Sequence, residues 1–273
     1  HWGGPSKSAL FLSNNPRTMD QFAVSLGPER LKFSLLHGIL DDLGSSKEFS
    51  PDTKNDPDAI NRFVSIKKTT WTPSKILTLS YKESILYSGP NTAIHPRYLV
   101  PTSLFIFLAD NAPRNDQINL MFGGSVDWKP SPWHIYSELM IDDVIFNRKE
   151  RGITETGTFA WIGWVKRQLT PSAGLTWTGE LVGYQAYNTD QAEGRYIYMG
   201  RGLATQFNDY VFSELNFSTS IPKIAVLEPY IGVLWQGEQK INQPFASAYP
   251  DGQRFERVLT GVVERTMRLG IRA

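Results

Sequence analysis

Hydrophobic and polar side chains alternate along many short stretches of this chain, with the period of two residues that is typical of β-strands. A long strand of this kind is predicted at 133–146, directly after Pro130 and Pro132. Because alternate side chains of a strand point to opposite faces, Leu139 lies on an apolar face and Glu138 on a polar one. This strand is therefore predicted to separate an apolar environment from a polar one.

The same pattern recurs along the chain and defines the other strands. They are predicted at 8–14, 21–26, 31–40, 63–72, 76–87, 118–128, 158–169, 174–188, 211–220, 225–241 and 257–273. In the last of them Met267 and Leu269 share a face that excludes Arg268 and Arg272. The pattern predicts about a dozen to fourteen strands, many of about ten residues, a length that crosses a bilayer when tilted.

Two architectures accommodate strands of this kind. A soluble sandwich buries the apolar faces between two sheets, whereas a membrane barrel turns them to lipid and keeps the polar faces in its lumen. Sandwich strands are more often about five or six residues long. The pattern therefore favours an all-β, antiparallel transmembrane barrel, with a soluble all-β protein as the alternative.

Two stretches interrupt the alternation. Residues 89–116 carry four prolines around an apolar centre at 104–108, which predicts an irregular or short helical segment. Residues 41–61 are polar, acidic and rich in Ser, Asp and Pro, which predicts a long exposed loop.

Composition excludes several functions. The 28 Lys and Arg residues balance 27 Asp and Glu residues, so no net charge favours nucleic acid. The chain has no Cys, which excludes disulfides, thiolate zinc sites and Cys nucleophiles. The four His residues lack ligand spacing, and neither a serine-hydrolase elbow nor a phosphate loop occurs. We therefore expect no catalysis, no bound metal and no cofactor.

Five short phrases occur in an order and spacing that resemble a known family. They are Trp2-Gly3-Gly4-Pro5, Leu10-Phe11-Leu12-Ser13-Asn14, Glu83-Ser84-Ile85-Leu86-Tyr87-Ser88-Gly89, Asp110-Asn111 and Tyr136-Ser137-Glu138-Leu139-Met140-Ile141-Asp142-Asp143. Together they resemble the capsule-assembly Wzi family of outer-membrane proteins, over positions 1 to about 210.

The resemblance implies a monomeric barrel of the bacterial outer membrane that contacts outer-membrane lipid and holds surface polysaccharide as a lectin. We expect a single domain, 1–273, of about 12–18 strands that lacks some of the family's N-terminal strands. The chain ends in Arg272-Ala273 rather than the aromatic residue common at barrel C-termini. Two other functions remain open, a solute channel or transporter and a soluble β-rich domain that binds or hydrolyses carbohydrate.

A group of acids and one amide is the first candidate site. It comprises Asp110, Asn111, Asp116, Glu138, Asp142 and Asp143. Such residues suit Ca²⁺ or a glycosidase pair, but a polar network in the lumen of a barrel is the favoured interpretation. The acids would then pair with Arg97, Arg114, Arg268 or Lys82 and tie the segment 89–116 to the wall.

Four tyrosines are the second candidate site. Tyr184, Tyr187, Tyr196 and Tyr198 flank the stretch 188–200. Exposed aromatic rings stack on sugar rings, and their hydroxyls form hydrogen bonds. We expect these rings to be exposed, either as a polysaccharide-binding surface or as part of an aromatic girdle at the membrane interface.

Overall fold

Antiparallel β-strands form most of the structure, a computed structural model that describes residues 2–42, 60–90, 92–109, 117–142, 158–189, 192–221, 225–243 and 258–272. Thirteen strands lie within these ranges, and the expected all-β antiparallel fold is confirmed. They are β1 (Gln21–Leu26), β2 (Leu31–Leu40), β3 (Ile60–Ser74), β4 (Leu77–Pro90), β5 (Gln117–Trp128), β6 (Trp133–Asp142), β7 (Thr158–Thr170), β8 (Ala173–Val182), β9 (Ile197–Tyr198), β10 (Arg201–Gly202), β11 (Tyr210–Ile221), β12 (Ala225–Gln236) and β13 (Glu264–Arg272).

Eleven of these strands form one sheet in which each strand pairs with its neighbours in chain order. β8 pairs directly with β11, because β9 and β10 form a separate two-stranded hairpin. As the described residues form it, the sheet has β1 and β13 at its edges and is not closed.

Short turns and long connections alternate between the strands of this sheet. The connections of two to four residues are 27–30, 75–76, 129–132, 171–172 and 222–224. The long connections are 41–59, 91–116, 143–157, 183–209 and 237–263. Because consecutive strands run in opposite directions, the strand ends that short connections join lie at one end of the sheet, and those that long connections join lie at the other. We call these the short-turn end and the long-connection end.

Helices are few and short. Among the described residues they are two 3-10 turns, Pro96–Leu99 and Ala192–Gly194, and the α-helix Phe105–Ala109. Two of the three lie in the segment predicted to be irregular or short helical, so that prediction is confirmed. In the described part of the chain, no helix has both the length and the apolar character needed to cross a membrane.

One face of the sheet carries exposed apolar side chains. Leu139, Leu215 and Leu269 are 42%, 42% and 79% exposed. Glu138 and Glu214 lie on the opposite face, as the alternation in the sequence predicts. The division into an apolar and a polar face is therefore confirmed for β6, β11 and β13, where Arg268 lines the polar side opposite Leu269.

The polar face is concave and is covered by two irregular segments. The N-terminal segment 2–20 and the connection 183–209 together contact strands from β3 to β8. They contribute Leu10, Phe11 and Tyr187 to the main buried apolar cluster. We call 2–20 and 183–209 the inner segments.

Four expected strands differ from the structure. Those at 225–241 and 257–273 are shorter, at Ala225–Gln236 and Glu264–Arg272, and two others meet the interior of the concave face. Residues 8–14 form no strand, because Ala9, Leu10, Phe11 and Leu12 are all buried and do not alternate. The strand expected at 174–188 ends at Val182, where the chain turns into the concave side. In both places apolar residues meet the interior of the concave face, and a simple period of two does not describe them.

A glycine in β5 allows a close approach between two strands. A Cβ at Gly123 would overlap the backbone carbonyl oxygen of Leu139 in β6. We expect Gly123→Ala to lower the free energy of unfolding by about 1–3 kcal/mol, because backbone cannot shift without disturbing the ladder.

Gly174→Ala is the matched control for this prediction. Its Cβ would come within 3.2 Å of the Lys166 side chain, which is flexible. Thermal unfolding in detergent measures both variants. Equal melting temperatures for Gly123→Ala and Gly174→Ala would contradict the proposed close approach.

Candidate functional site

A buried ion pair lies at the centre of the concave face. Lys82 Nζ in β4 and Glu138 Oε1 in β6 are 2.5 Å apart, and both side chains are fully buried. Tyr136 Oη donates a hydrogen bond to Glu138 Oε2 at 2.9 Å, and the Leu10 N–H donates to the same oxygen at 3.4 Å. Both oxygens of the carboxylate therefore have partners, as a buried charge requires.

The backbone explains how this pair forms across an intervening strand. Gly123 of β5 lies opposite Lys82 of β4 on one side and Met140 of β6 on the other. Because glycine has no side chain, the long Lys82 side chain reaches over β5 to Glu138. The Lys82 ammonium thus faces the inner segments on the concave side of the sheet, whereas the opposite face is apolar.

Tyrosines fix the inner segments to one another and to β6. The Tyr187 N–H donates to Asp142 Oδ2 at 2.9 Å, and Tyr187 Oη donates to the carbonyl oxygen of Leu10 at 3.0 Å. Tyr196 Oη donates to the carbonyl oxygen of Phe11 at 2.8 Å, and the two tyrosine rings stack 5.9 Å apart. Burial raises the pKa of Tyr187 well above its ordinary value, so this hydroxyl stays a hydrogen-bond donor.

Arg62 performs a similar task nearer the long-connection end. Its guanidinium is fully buried and donates to the carbonyl oxygens of Asp41, Glu193, Arg195 and Ile197. One side chain of β3 therefore satisfies backbone acceptors of the connection 183–209 that would otherwise be buried without partners.

The tyrosine prediction needs correction. Tyr184, Tyr187, Tyr196 and Tyr198 are all buried, so the expectation of exposed rings is wrong. The connection that carries them folds into the concave side, where the Tyr187 and Tyr196 hydroxyls bind backbone carbonyls of the N-terminal segment. The structure brings these two rings together, but as internal packing.

The predicted acids have two different outcomes. Glu138 and Asp142 lie buried on the concave face, as expected for an internal network, and Lys82 is the partner of Glu138. Asp110, Asn111, Asp116 and Asp143 lie outside the described residues.

The expected tie between these acids and the segment 89–116 is wrong for its described part. Residues 92–109 pack on the convex face, through Tyr98 and Phe105. Glu83, which points to that face, accepts hydrogen bonds from the Phe105 and Ile106 N–H groups.

A polar cavity of about 460 Å³ adjoins this network on the side of the short turns. Its walls come from β7, β8, β11, β12 and β13, and the N-terminal segment and residues 206–207 close it on the other side. The lining includes Trp164, Lys166, Thr176, Thr178, Glu180, Glu214, Asn216, Ser218, Glu228, Arg268 and Arg272. We call it the wall cavity.

Gly232 contributes to the space in this cavity. It lies between Glu214 of β11 and Arg268 of β13 in the sheet register, so no side chain fills the gap between these two charges. Glu214 instead binds Arg272, whose Nη2 donates to both of its carboxylate oxygens at 3.0 and 2.9 Å. This two-point contact holds the carboxylate in one orientation.

Glu180 lies on the adjacent strand β8, two residues from Thr178, which is the register partner of Glu214. Ser8 Oγ donates to Glu180 Oε1 at 2.6 Å, and Tyr210 Oη donates to Glu180 Oε2 at 2.7 Å. Fixed carboxylates, hydroxyls and an amide beside the flat ring of Trp164 are the groups that bind sugars. No group of three or more His, Asp or Glu residues in the described ranges is arranged to hold a metal ion.

The face on which each of these cavity residues lies could be predicted from the sequence, but their meeting in one cavity could not. Glu180 and Glu214 fall on the polar faces of their strands in the alternating pattern. Their meeting with Ser8 and Trp164 depends on how the sheet curves and where the N-terminal segment lies, which the period of two does not encode.

These features define an all-β antiparallel sheet protein with an apolar convex face and a filled, polar concave face. A solved structure with a similar fold is Wzi of Escherichia coli, described as an outer-membrane protein involved in group 1 capsule assembly and a carbohydrate-binding β-barrel. The TM-score is 0.58 at 12% sequence identity, and the match covers 88% of this chain and 53% of the Wzi chain.

The likeness to Wzi concerns the fold, and this chain spans about half the length of that structure. No protein-family model matches the sequence, and no curated protein matches it.

The central ion pair yields a prediction about stability. Lys82→Met leaves Glu138 buried without its cation, so we expect the free energy of unfolding to fall by about 3–5 kcal/mol. The double variant Lys82→Met/Glu138→Gln removes both charges and is expected to recover part of that loss. Chemical unfolding in detergent measures the three proteins.

Lys129→Met is the control, because Lys129 pairs with Asp127 at 2.9 Å and its side chain is half exposed. Its loss is expected to cost no more than about 1 kcal/mol. Equal small effects of Lys82→Met and Lys129→Met would show that the central pair does not hold the inner segments.

Proposed function

We propose that this chain belongs to an outer-membrane β-barrel that binds carbohydrate without catalysis and serves capsule or exopolysaccharide assembly at the bacterial surface. One observation carries the proposal: the sheet exposes apolar side chains on its convex face and has a polar cavity on its concave face. The fold likeness to Wzi supports both halves of the proposal.

The convex face supports residence in a membrane. Met267, Leu269 and Ile271 of β13 are each more than two-thirds exposed, and apolar side chains of β11 and β12 continue the same surface. Water-exposed apolar patches of this extent are rare in soluble proteins, whereas a barrel turns such a band to lipid.

The connections support an orientation. Outer-membrane barrels have short turns on the periplasmic side and longer loops outside, and the sheet has the same asymmetry. In this orientation the inner segments lie towards the outside and the wall cavity lies towards the periplasm. A glycan would then reach the cavity from the periplasmic side.

The wall cavity supports carbohydrate as the ligand. It combines the ring of Trp164 with the fixed carboxylate of Glu214 and the amide of Asn216. The inner segments that cover the concave face oppose the rival function of an open solute channel. Large, steady conductance in planar bilayers would favour the channel instead.

A pair of arginine substitutions tests the membrane half of the proposal. Leu215→Arg puts a charge on the lipid face, and we expect it to lower the stability of the membrane-inserted protein by about 2–4 kcal/mol at mid-bilayer depth. Thr178→Arg is expected to have a smaller effect, because Thr178 lines the polar wall cavity. Denaturant titration of folding into lipid vesicles compares them.

The wild-type protein without detergent or lipid is the control for this test. A soluble, monomeric protein with native β circular dichroism under those conditions would exclude the membrane proposal. So would equal behaviour of the two arginine variants.

A tryptophan pair tests the carbohydrate half. We expect Trp164→Ala to weaken binding of capsular or exopolysaccharide fragments about two- to tenfold, since aromatic contacts contribute about 0.5–1.5 kcal/mol. Trp177→Ala is the matched control, because Trp177 lies on the opposite face of the sheet. Binding is measured with a glycan array and then by calorimetry. Both use detergent-purified protein, so that glycans can reach the cavity from either end of the sheet.

Two results would count against carbohydrate binding in the cavity. One is a complete absence of binding to bacterial polysaccharides by the wild-type protein. The other is an equal loss of affinity in Trp164→Ala and Trp177→Ala, which would place the sugar elsewhere.

A further inference from the structure

Residues 92–109 form a strap along the convex face of the sheet. The Tyr98 and Phe105 side chains of the strap are buried against the sheet, where they pack with Phe63, Ile85 and Tyr87. The strap leaves β4 at the long-connection end and reaches Glu83, near the middle of that strand.

The strap covers a pair of charges that point outwards. Lys67 of β3 and Glu83 of β4 face each other directly in the sheet register, with Nζ and Oε2 3.6 Å apart. Both side chains are buried, unlike the apolar side chains Leu215 and Phe217 on the convex face of β11.

Polar contacts fix the strap over this pair. The Phe105 N–H donates to Glu83 Oε2 at 2.9 Å, and the Ile106 N–H donates to Oε1 at 3.3 Å. Lys67 Nζ donates to the carbonyl oxygen of Ser103 and lies 3.6 Å from the centre of the Phe105 ring. Glu83 thus accepts hydrogen bonds from the first two N–H groups of the short helix, and Lys67 and Glu83 neutralise each other.

Strand length shows where the strap lies relative to a bilayer. On the convex face, the positions that remain accessible between the strap and the short-turn end are 69–73 on β3 and 77–81 on β4, while Asn61 is exposed at the long-connection end of β3. Each range is about half of the ~9–11 residues that a tilted strand needs to cross. On β11 the convex side chains stay accessible from 211 to 219. Over β3 and β4, part of the lipid-level surface must therefore belong to the strap.

The outer surface of the strap has the matching chemistry. Val100, Leu104 and Phe107 point away from the sheet and are exposed, Phe107 by 68%. They continue the apolar surface that Trp71 and Tyr81 present below the strap.

We propose that the strap is a lipid-facing part of the wall, in which Val100, Leu104 and Phe107 contact the acyl chains of the bilayer and seal the Lys67–Glu83 pair from them. This inference rests on the proposed membrane function. Lipid rather than a protein contacts this surface of the strap, because the accessible parts of β3 and β4 are too short to cross a bilayer and the strap supplies the missing apolar length.

Single cysteines test the proposal without background, since the chain has none. Phe107→Cys and Leu104→Cys report on the strap, and Leu215→Cys reports on the convex wall. Lys7→Cys reports on the wall cavity, because Lys7 belongs to its lining. Each is labelled with an environment-sensitive fluorophore, and the protein is folded into phosphatidylcholine vesicles. Quenching is then measured with nitroxide-labelled acyl chains.

We expect the two strap sites to be quenched within about twofold of Leu215→Cys, and Lys7→Cys to be quenched much less. Strong quenching at Leu215→Cys with none at either strap site would overturn the lipid contact and leave the membrane proposal standing. A strap that lies in water gives that second result. No quenching at any site would overturn both.

Discussion

The Lys82–Glu138 pair is the interaction on which the rest of the concave face depends. Two opposite charges cannot remain buried on a sheet unless hydrogen-bonding groups surround them. Tyr136 and the Leu10 N–H supply those groups, so the pair draws the N-terminal segment onto the sheet. Tyr187 then joins that segment to the connection 183–209 and to Asp142. The ion pair therefore helps to position both inner segments, together with Arg62, which binds backbone carbonyls of the connection 183–209.

Much of the wall could be predicted from the sequence, because a two-residue period is a local property. The apolar faces of Leu139, Leu215 and Leu269 and the turn after β1 follow directly from the alternation. Lys82 could be predicted as one possible partner of Glu138, since the alternation places both residues on a polar face. The alternation shows on which face a residue lies but not how far apart two residues are across the sheet. It therefore left several cations as possible partners of Glu138.

The inner segments could not be predicted for a physical reason. Residues 9–12 and the four tyrosines are apolar or amphipathic on every side, so their pattern does not show which surface buries them. A tyrosine has the same ring whether its hydroxyl meets water, a sugar or a backbone carbonyl. Only the three-dimensional meeting of Tyr187 with Leu10 and of Tyr196 with Phe11 decides between these environments.

The two faces of β4 show one principle used twice. Lys82 and Glu83 are adjacent in the sequence, so they point to opposite faces of the sheet. Each meets an opposite charge on its own face, Glu138 inside and Lys67 outside, and each pair is covered by an irregular segment whose backbone N–H groups bind the carboxylate. Because a charge costs most where water is absent, both covers are needed if the outer face meets lipid and the inner face is filled. β4 therefore links the inner segments to the strap, because two adjacent residues of this single-layer sheet bind a covering segment on each of its faces.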